Sequence, residues 1–292
     1  MRKISKTALA AIIILLCAML SACGGGRGER ITIAGSTSVL PFAELLGEEF
    51  EKKHPGYAID VQGGGSTAGV TSVRNGTAAI GMLSRKLKDS EKDLIKYEIA
   101  KDGLAIIINP NNPIIKKSGG PNFAVNLSEQ IIQDIYKGII TDWSDPRLGG
   151  NKGKIHVVMR EEGSGTRGAF EDLIMTETLP DGTKQIVPTI KKAITYGSNG
   201  SVRLLVSNDT NAIGFISLGL IDIKGQKPVR AVSINGVEAK AENIGNDTYK
   251  LWRPFLFVVK HEPEEGLTKD FIDFVLGPEG KALLSKQGLI AD

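Results

Sequence analysis

An α/β fold with largely parallel sheets is predicted by three observations. Apolar runs of strand length alternate along the chain with segments whose apolar residues recur at helical spacing. Three of these strand-to-helix passages run through turns made of glycine and hydroxyl residues: Gly35-Ser36-Thr37-Ser38, Gly63-Gly64-Gly65-Ser66-Thr67 and Gly163-Ser164-Gly165-Thr166. About 265 residues follow an N-terminal leader, enough for two domains of roughly 100 to 150 residues each.

Taken in order, residues 1–22 read as a lipoprotein signal rather than as part of the fold. Arg2, Lys3 and Lys6 form a basic start, and Ala8 to Leu20 is an apolar run short for a bilayer span. Leu20-Ser21-Ala22 then precedes Cys23. Cys23 is the expected lipid anchor at the extracytoplasmic face of the cell membrane, residues 23–28 a glycine-rich tether, and Cys17 is discarded. Removing the three basic residues before Cys23 from the total of 36 leaves 33 against 33 acidic, a neutral chain. Nucleic-acid binding, which shows as a basic excess with aromatics interleaved, is not expected.

Ile31-Thr32-Ile33 is the first strand. Pro41 suits the first turn of the next helix, whose apolar face is Phe42, Leu45, Leu46 and Phe50. Ala58 to Val61 leads through the second hydroxyl turn to a helix with Val70 and Val73. Asn75-Gly76 is a turn signal, and Ala78 to Leu83 a buried-type strand ending at Ser84-Arg85. Ser90 to Asp93 reads as a capping box opening a short helix. Leu104 to Ile108 is a strand, and Asn109-Pro110-Asn111-Asn112-Pro113 the first crossing into a second domain.

There Ser128 caps a helix with Ile131, Ile132, Ile135 and Tyr136 on one face, ended by Gly138. Ile155 to Met159 is a strand that runs into Arg160 and the third hydroxyl turn. The helix beyond it carries Phe170, Leu173 and Ile174. Tyr196 to Ser201 reads as a loop into a helix bearing Val202, Leu205 and Val206, and Ala212 to Ile216 as a strand. Tyr249 to Lys260 is a strand and the return crossing. Two closing helices follow, separated by Gly277-Pro278.

The hydroxyl turns carry the chemistry. The first amides of a helix lack intrahelical partners and sit at the positive end of the macrodipole, so such turns aim N–H and O–H donors at an anion. Arg160 adds a charged, forked donor. One such turn is an ordinary N-cap. Three of them and an arginine, with no metal-ligand spacing among His54, His156 and His261, suit a cage for a small oxyanion. No cofactor is expected. Ser164 stands between glycines, but the turn lacks nucleophile-elbow spacing, so a phosphate-ester hydrolase is the weaker alternative.

In order and spacing, Gly35-Ser36-Thr37-Ser38, Gly65-Ser66-Thr67-Ala68-Gly69, Ile80-Gly81-Met82-Leu83-Ser84-Arg85, Gly138 to Trp143, Arg160 with Ser164-Gly165-Thr166, and Ala212 to Ile216 resemble the phosphate-binding lipoproteins of phosphate ABC transporters. The resemblance spans essentially the whole mature chain. It implies a type II two-lobed periplasmic-binding-protein fold with the hinge crossed twice, lobe 1 being 29–108 and 254–292 and lobe 2 being 109–253. It implies a non-enzymatic monomer that passes inorganic phosphate to permease subunits. Thr37, Ser38 and Ser66 would face phosphate from lobe 1, with Ser36 and Ser84 as further contacts. Arg160, Ser164, Gly165 and Thr166 would face it from lobe 2.

One departure concerns selectivity. Many relatives carry, after the serine matching Ser84, an aspartate that accepts the phosphate proton and so rejects sulfate. Here that position is Arg85. Glu161 or Glu162 is the expected substitute. Without an acceptor, the protein would be a binder of other tetrahedral oxyanions, such as sulfate, molybdate or tungstate.

Overall fold

The computed structural model describes residues 28–117 and 125–291. The leader, Cys23 and the tether through Arg27 lie outside the described residues.

The chain starts with β1 (Arg30–Gly35), α1 (Leu40–Lys53), β2 (Ala58–Gly63), α2 (Ser66–Arg74) and β3 (Ile80–Leu83), then the long β4 (Ile95–Ile108). There follow α3 (Pro113–Lys117), β5 (Asn126–Leu127), α4 (Glu129–Lys137), β6 (His156–Arg160) and α5 (Gly165–Leu173). Next are β7 (Thr176–Thr178), β8 (Lys184–Ile186), β9 (Ile194–Tyr196), α6 (Asn199–Asn208) and β10 (Ala212–Ser217). The chain continues with β11 (Arg230–Ala231), β12 (Ser233–Ile234), α7 (Ala241–Gly245) and β13 (Trp252–Val259), and closes with α8 (Leu267–Leu276) and α9 (Pro278–Lys286).

One sheet runs in the order β2-β1-β3-β13-β4-β10-β6-β9, with β11 on β4. Two small pairs, β5 with β12 and β7 with β8, stand apart. The strands that end in hydroxyl turns pair in parallel: β1 with β2 and β3, and β6 with β9 and β10. β4 and β13 join these two parallel groups by antiparallel pairing.

Only the second half of β4 was legible as Leu104 to Ile108. Its first half alternates, with Lys96 and Glu98 exposed, and pairs with β13. Its second half is wholly buried and pairs with β10. That change of neighbour explains why one strand shows two patterns.

Three apolar clusters pack on the sheet, the smallest of them Val70, Val73, Leu83, Leu94, Leu256 and Val258. The largest includes Ile33, Leu46, Phe50, Phe257 and Phe271. The second includes Ile132, Tyr136, Trp143, Phe170 and Phe215. Helix ends follow their sequence signals. Ser128 Oγ accepts the Ile131 amide at the start of α4, and Gly138 ends that helix in the left-handed region at φ 79°. The expected helix at Ser90 is instead a single 3₁₀ turn, Asp89–Glu91, because the Glu91 carboxylate turns back onto the Lys88 amide and into a buried ion pair.

Candidate anion-binding site

The turns after β1, β2 and β6 meet at one place, and every hydroxyl predicted for the site is there. Ser36 Oγ donates to Ser84 Oγ at 2.8 Å, and the Ser84 amide donates to Ser66 Oγ at 3.1 Å. Ser38 Oγ and Thr166 Oγ1 are 2.8 Å apart although 128 residues separate them. The Thr67 amide reaches the Gly163 carbonyl at 3.1 Å, so the starts of α2 and α5 face each other directly. Ser164 caps α5 by accepting the Arg167 amide at 3.2 Å. Gly165 follows it, and a Cβ there would stand 2.1 Å from Ser66 Oγ and 2.6 Å from Ser84 Oγ. Ser36, Ser38, Ser66, Ser84, Ser164 and Thr166 are all buried.

Arg160, at the end of β6, is 1% exposed. Its Nε donates to Glu161 Oε2 at 2.8 Å and to the Tyr196 carbonyl at 3.2 Å. Its Nη2 donates to Glu161 Oε1 at 2.7 Å and to Thr37 Oγ1 at 3.3 Å. Its Nη1 is buried with no hydrogen-bond partner. A buried charged donor left open is costly unless something fills it, so this atom points to a ligand.

Three further residues complete the wall, and the sequence reading did not select them. Asn199, in the first turn of α6, donates from Nδ2 to Thr37 Oγ1 at 3.0 Å and to Ser38 Oγ at 2.9 Å, while its Oδ1 accepts the Ser217 amide. Arg253 of β13 is 2% exposed, donates from Nη2 to Ser38 Oγ at 3.1 Å, and also holds a buried, unpartnered Nη1. Asp102 of β4 takes Arg253 Nε and Nη2 on Oδ2, and Ser217 Oγ on Oδ1. Burial raises the pKa of Asp102 and lowers that of Arg253, and their mutual attraction opposes both shifts. For Arg253 a signal existed, since it is the one charge in the apolar strand β13 and such charges are paired; Asp102, beside Lys101 and after Lys96 and Glu98, carried no such mark. Asn199 had none.

The two glutamates fare differently. Glu161 is held by both arms of Arg160, and its Oε1 lies 3.5 Å from where a Gly65 Cβ would stand. Glu162 is exposed, and the structure does not bring it to the cage. Arg85 makes neither of the pairings that would tie it to these acids. Its guanidinium grips Glu91 through two hydrogen bonds of 2.6 and 2.8 Å, both side chains 5% exposed. Arg167 pairs with Glu171.

Burial alone would raise the Glu91 pKa, but Arg85 and the Lys88 amide outweigh it and hold the carboxyl below its ordinary range. A carboxylate lowered on folding stabilises the fold above the ordinary carboxylate range, and that contribution fades as pH falls through the lowered value. Arg85→Ala is therefore expected to cost about 3–5 kcal/mol of stability by leaving Glu91 buried and unpaired. Denaturant unfolding at neutral pH checks this; an unchanged midpoint would show that Glu91 finds water.

Two groups of parallel strands joined through β4 and β13, with a donor cage where helix starts from both groups meet, define a two-lobed solute-binding protein. The chain belongs to the PBP superfamily domain family, whose profile matches residues 21–279. It is 29% identical over 266 residues to the phosphate-binding protein PstS of Bacillus subtilis (strain 168), covering 89% of this chain and 80% of that protein. To PstS of Borreliella burgdorferi it is 25% identical over 98% of both. Among solved structures, it resembles a chain of Clostridium perfringens described as a phosphate ABC transporter substrate-binding protein, with bound phosphate. The TM-score is 0.78 at 39% identity, over 90% of this chain and 100% of that one. An ABC-type phosphate transport receptor of Vibrio cholerae matches with a TM-score of 0.68 at 38% identity, over the same shares.

Proposed function

We propose that this protein captures inorganic phosphate between its two lobes by hinge closure and delivers it to the permease of an ABC transporter. The observation that carries the reading is the pair of buried guanidinium nitrogens, Arg160 Nη1 and Arg253 Nη1, left open within a ring of hydroxyls and helix starts. Binding energy from groups on both sides of the cleft favours the closed form. Names of the related proteins support phosphate as the ligand.

In this reading the phosphate contacts are Thr37, Ser38, Ser66, Ser84, Arg160, Ser164, Gly165 and Thr166, with Ser36 orienting Ser84, and Arg253 as an addition. In this reading the lobes divide as 29–108 with 254–292 against 109–253, while β4 exchanges β13 for β10 between Gly103 and Leu104, five residues before that boundary. The protein acts as a monomer without cofactor, lipid-anchored through Cys23 on the extracytoplasmic face, and does no catalysis. The Ser164 hydroxyl serves as a helix cap. Beside Arg253, a cavity of about 600 Å³ is lined by Arg85, Lys86, Lys184 and Lys250 against Asp172, a cationic surface suited to drawing in an anion.

The test is calorimetric titration of the full chain, purified in detergent and stripped of bound anion. One phosphate per chain is expected, with Kd about 1 μM or tighter, about −8 kcal/mol. Absence of a binding heat at millimolar phosphate, confirmed by equilibrium dialysis, would reject the reading.

A further inference from the structure

Asn199 borders the cage at the start of α6, 1% exposed, and its carboxamide is fully engaged by protein groups. Oδ1 accepts the Ser217 amide at 3.2 Å, which leaves Nδ2 facing Thr37 Oγ1 at 3.0 Å and Ser38 Oγ at 2.9 Å. An amide nitrogen has two protons, and these two hydroxyl oxygens take both. The side chain keeps no donor for an anion. Its main-chain N–H leans on the same Thr37 oxygen at 3.4 Å.

The anchor of this carboxamide is fixed in turn. Ser217, the last residue of β10, gives its hydroxyl proton to Asp102 Oδ1 at 2.8 Å. Asp102 Oδ2 holds Arg253, whose Nη2 returns to Ser38 Oγ at 3.1 Å. Asn199, Ser38, Arg253, Asp102 and Ser217 thus close a ring of buried hydrogen bonds. Asp102 and Arg253 come from β4 and β13, the strands that join the two parallel groups. Ser38 comes from the turn after β1, and Ser217 and Asn199 from the β6–β10 group and its helix. Thr37 and Ser38 meet Asn199 only when the two groups come together.

We infer that Asn199 is a positioning residue that sets how long the anion is held: it fastens the Thr37–Ser38 turn of one group to the Ser217 anchor of the other without touching the anion itself. This rests on the phosphate-binding reading and deepens it. Capture in the open cleft precedes these contacts, so association does not depend on them. Reopening has to break them, so release does.

The experiment follows labelled phosphate on the full chain purified in detergent. Release is timed by rapid filtration after a chase of unlabelled phosphate, and the association rate is the release rate divided by the Kd from calorimetry. A neutral hydrogen bond is worth roughly fivefold, so loss of the two from Nδ2 in Asn199→Ala is expected to speed release by about 30-fold, with association within about threefold of the parent chain. A merely structural defect would lower the melting temperature without this split between the two rates. Release faster by less than about tenfold, or an affinity loss carried mainly by association, overturns the inference and leaves the phosphate-binding reading intact. A parent chain that binds no phosphate overturns both. Should Asn199→Ala not fold, Asn199→Ser carries the test: it is neutral, keeps a polar atom near the buried Ser217 amide, and has one proton for two oxygens. Its release is expected to be about fivefold faster or more, and a change of less than about twofold overturns the inference.

Discussion

Arg160→Lys is expected to weaken phosphate binding by about three orders of magnitude, roughly 4 kcal/mol, although the formal charge is conserved. The guanidinium does three things at once: it holds Glu161 with Nε and Nη2, steadies Thr37 with Nη2, and leaves Nη1 open in the cage. An ammonium is a single point of charge and cannot span these positions, so Glu161 would draw it to the rim. Stability should change little, because Glu161 is partly exposed and can be solvated once released. Arg85→Ala contrasts with it, since Glu91 is only 5% exposed. Calorimetry beside thermal unfolding separates the two cases. An affinity loss below about tenfold in Arg160→Lys, with the fold intact, would mean that fork geometry is not what the ligand reads.

Much of this arrangement was legible in the sequence because local rules and tertiary placement agree. Gly-Ser-Gly-Thr after an apolar run specifies both a helix start and a donor turn, and β1 with β3 and β6 with β10 run in opposite senses beside successive halves of β4, so that their C-terminal ends point at each other and the turns meet. The elements that escaped are those whose pattern is set by neighbours far along the chain. The first half of β4 reads as a mixed polar segment until β13 is placed beside it. Asp102 reads as one charge among Lys96, Glu98 and Lys101, yet with Arg253, 151 residues away, it forms one buried pair. Asn199 reads as a helix-start residue, and only the approach of the Ser36–Ser38 turn turns its amide toward Thr37 and Ser38. Arg85 stands out in the sequence as a departure, but its partner does not, because Glu91 lies within the capping-box pattern Ser90 to Asp93.

Gly165→Ala isolates closure from chemistry. The position lies in the first turn of α5, where alanine is intrinsically preferred over glycine by up to about 1 kcal/mol, so the helix itself gains. The added methyl carbon would nevertheless stand 2.1 Å from Ser66 Oγ and 2.6 Å from Ser84 Oγ, well inside contact distance. Ser66 is fixed by the Ser84 amide and Ser84 by Ser36, so neither hydroxyl yields without breaking the ring that presents it. The way to relieve the clash is to keep the starts of α2 and α5 apart, which loses the Thr67 to Gly163 and Ser38 to Thr166 contacts together. The expected result is a melting temperature equal to or above that of the parent chain, phosphate affinity lower by at least about 1,000-fold, and no compaction in small-angle scattering on adding phosphate. Because no donor or charge has been removed, such a loss would locate the affinity in the meeting of the two helix starts. Binding retained within tenfold would show instead that the cage admits phosphate without this approach, and that hinge closure is not the source of its affinity.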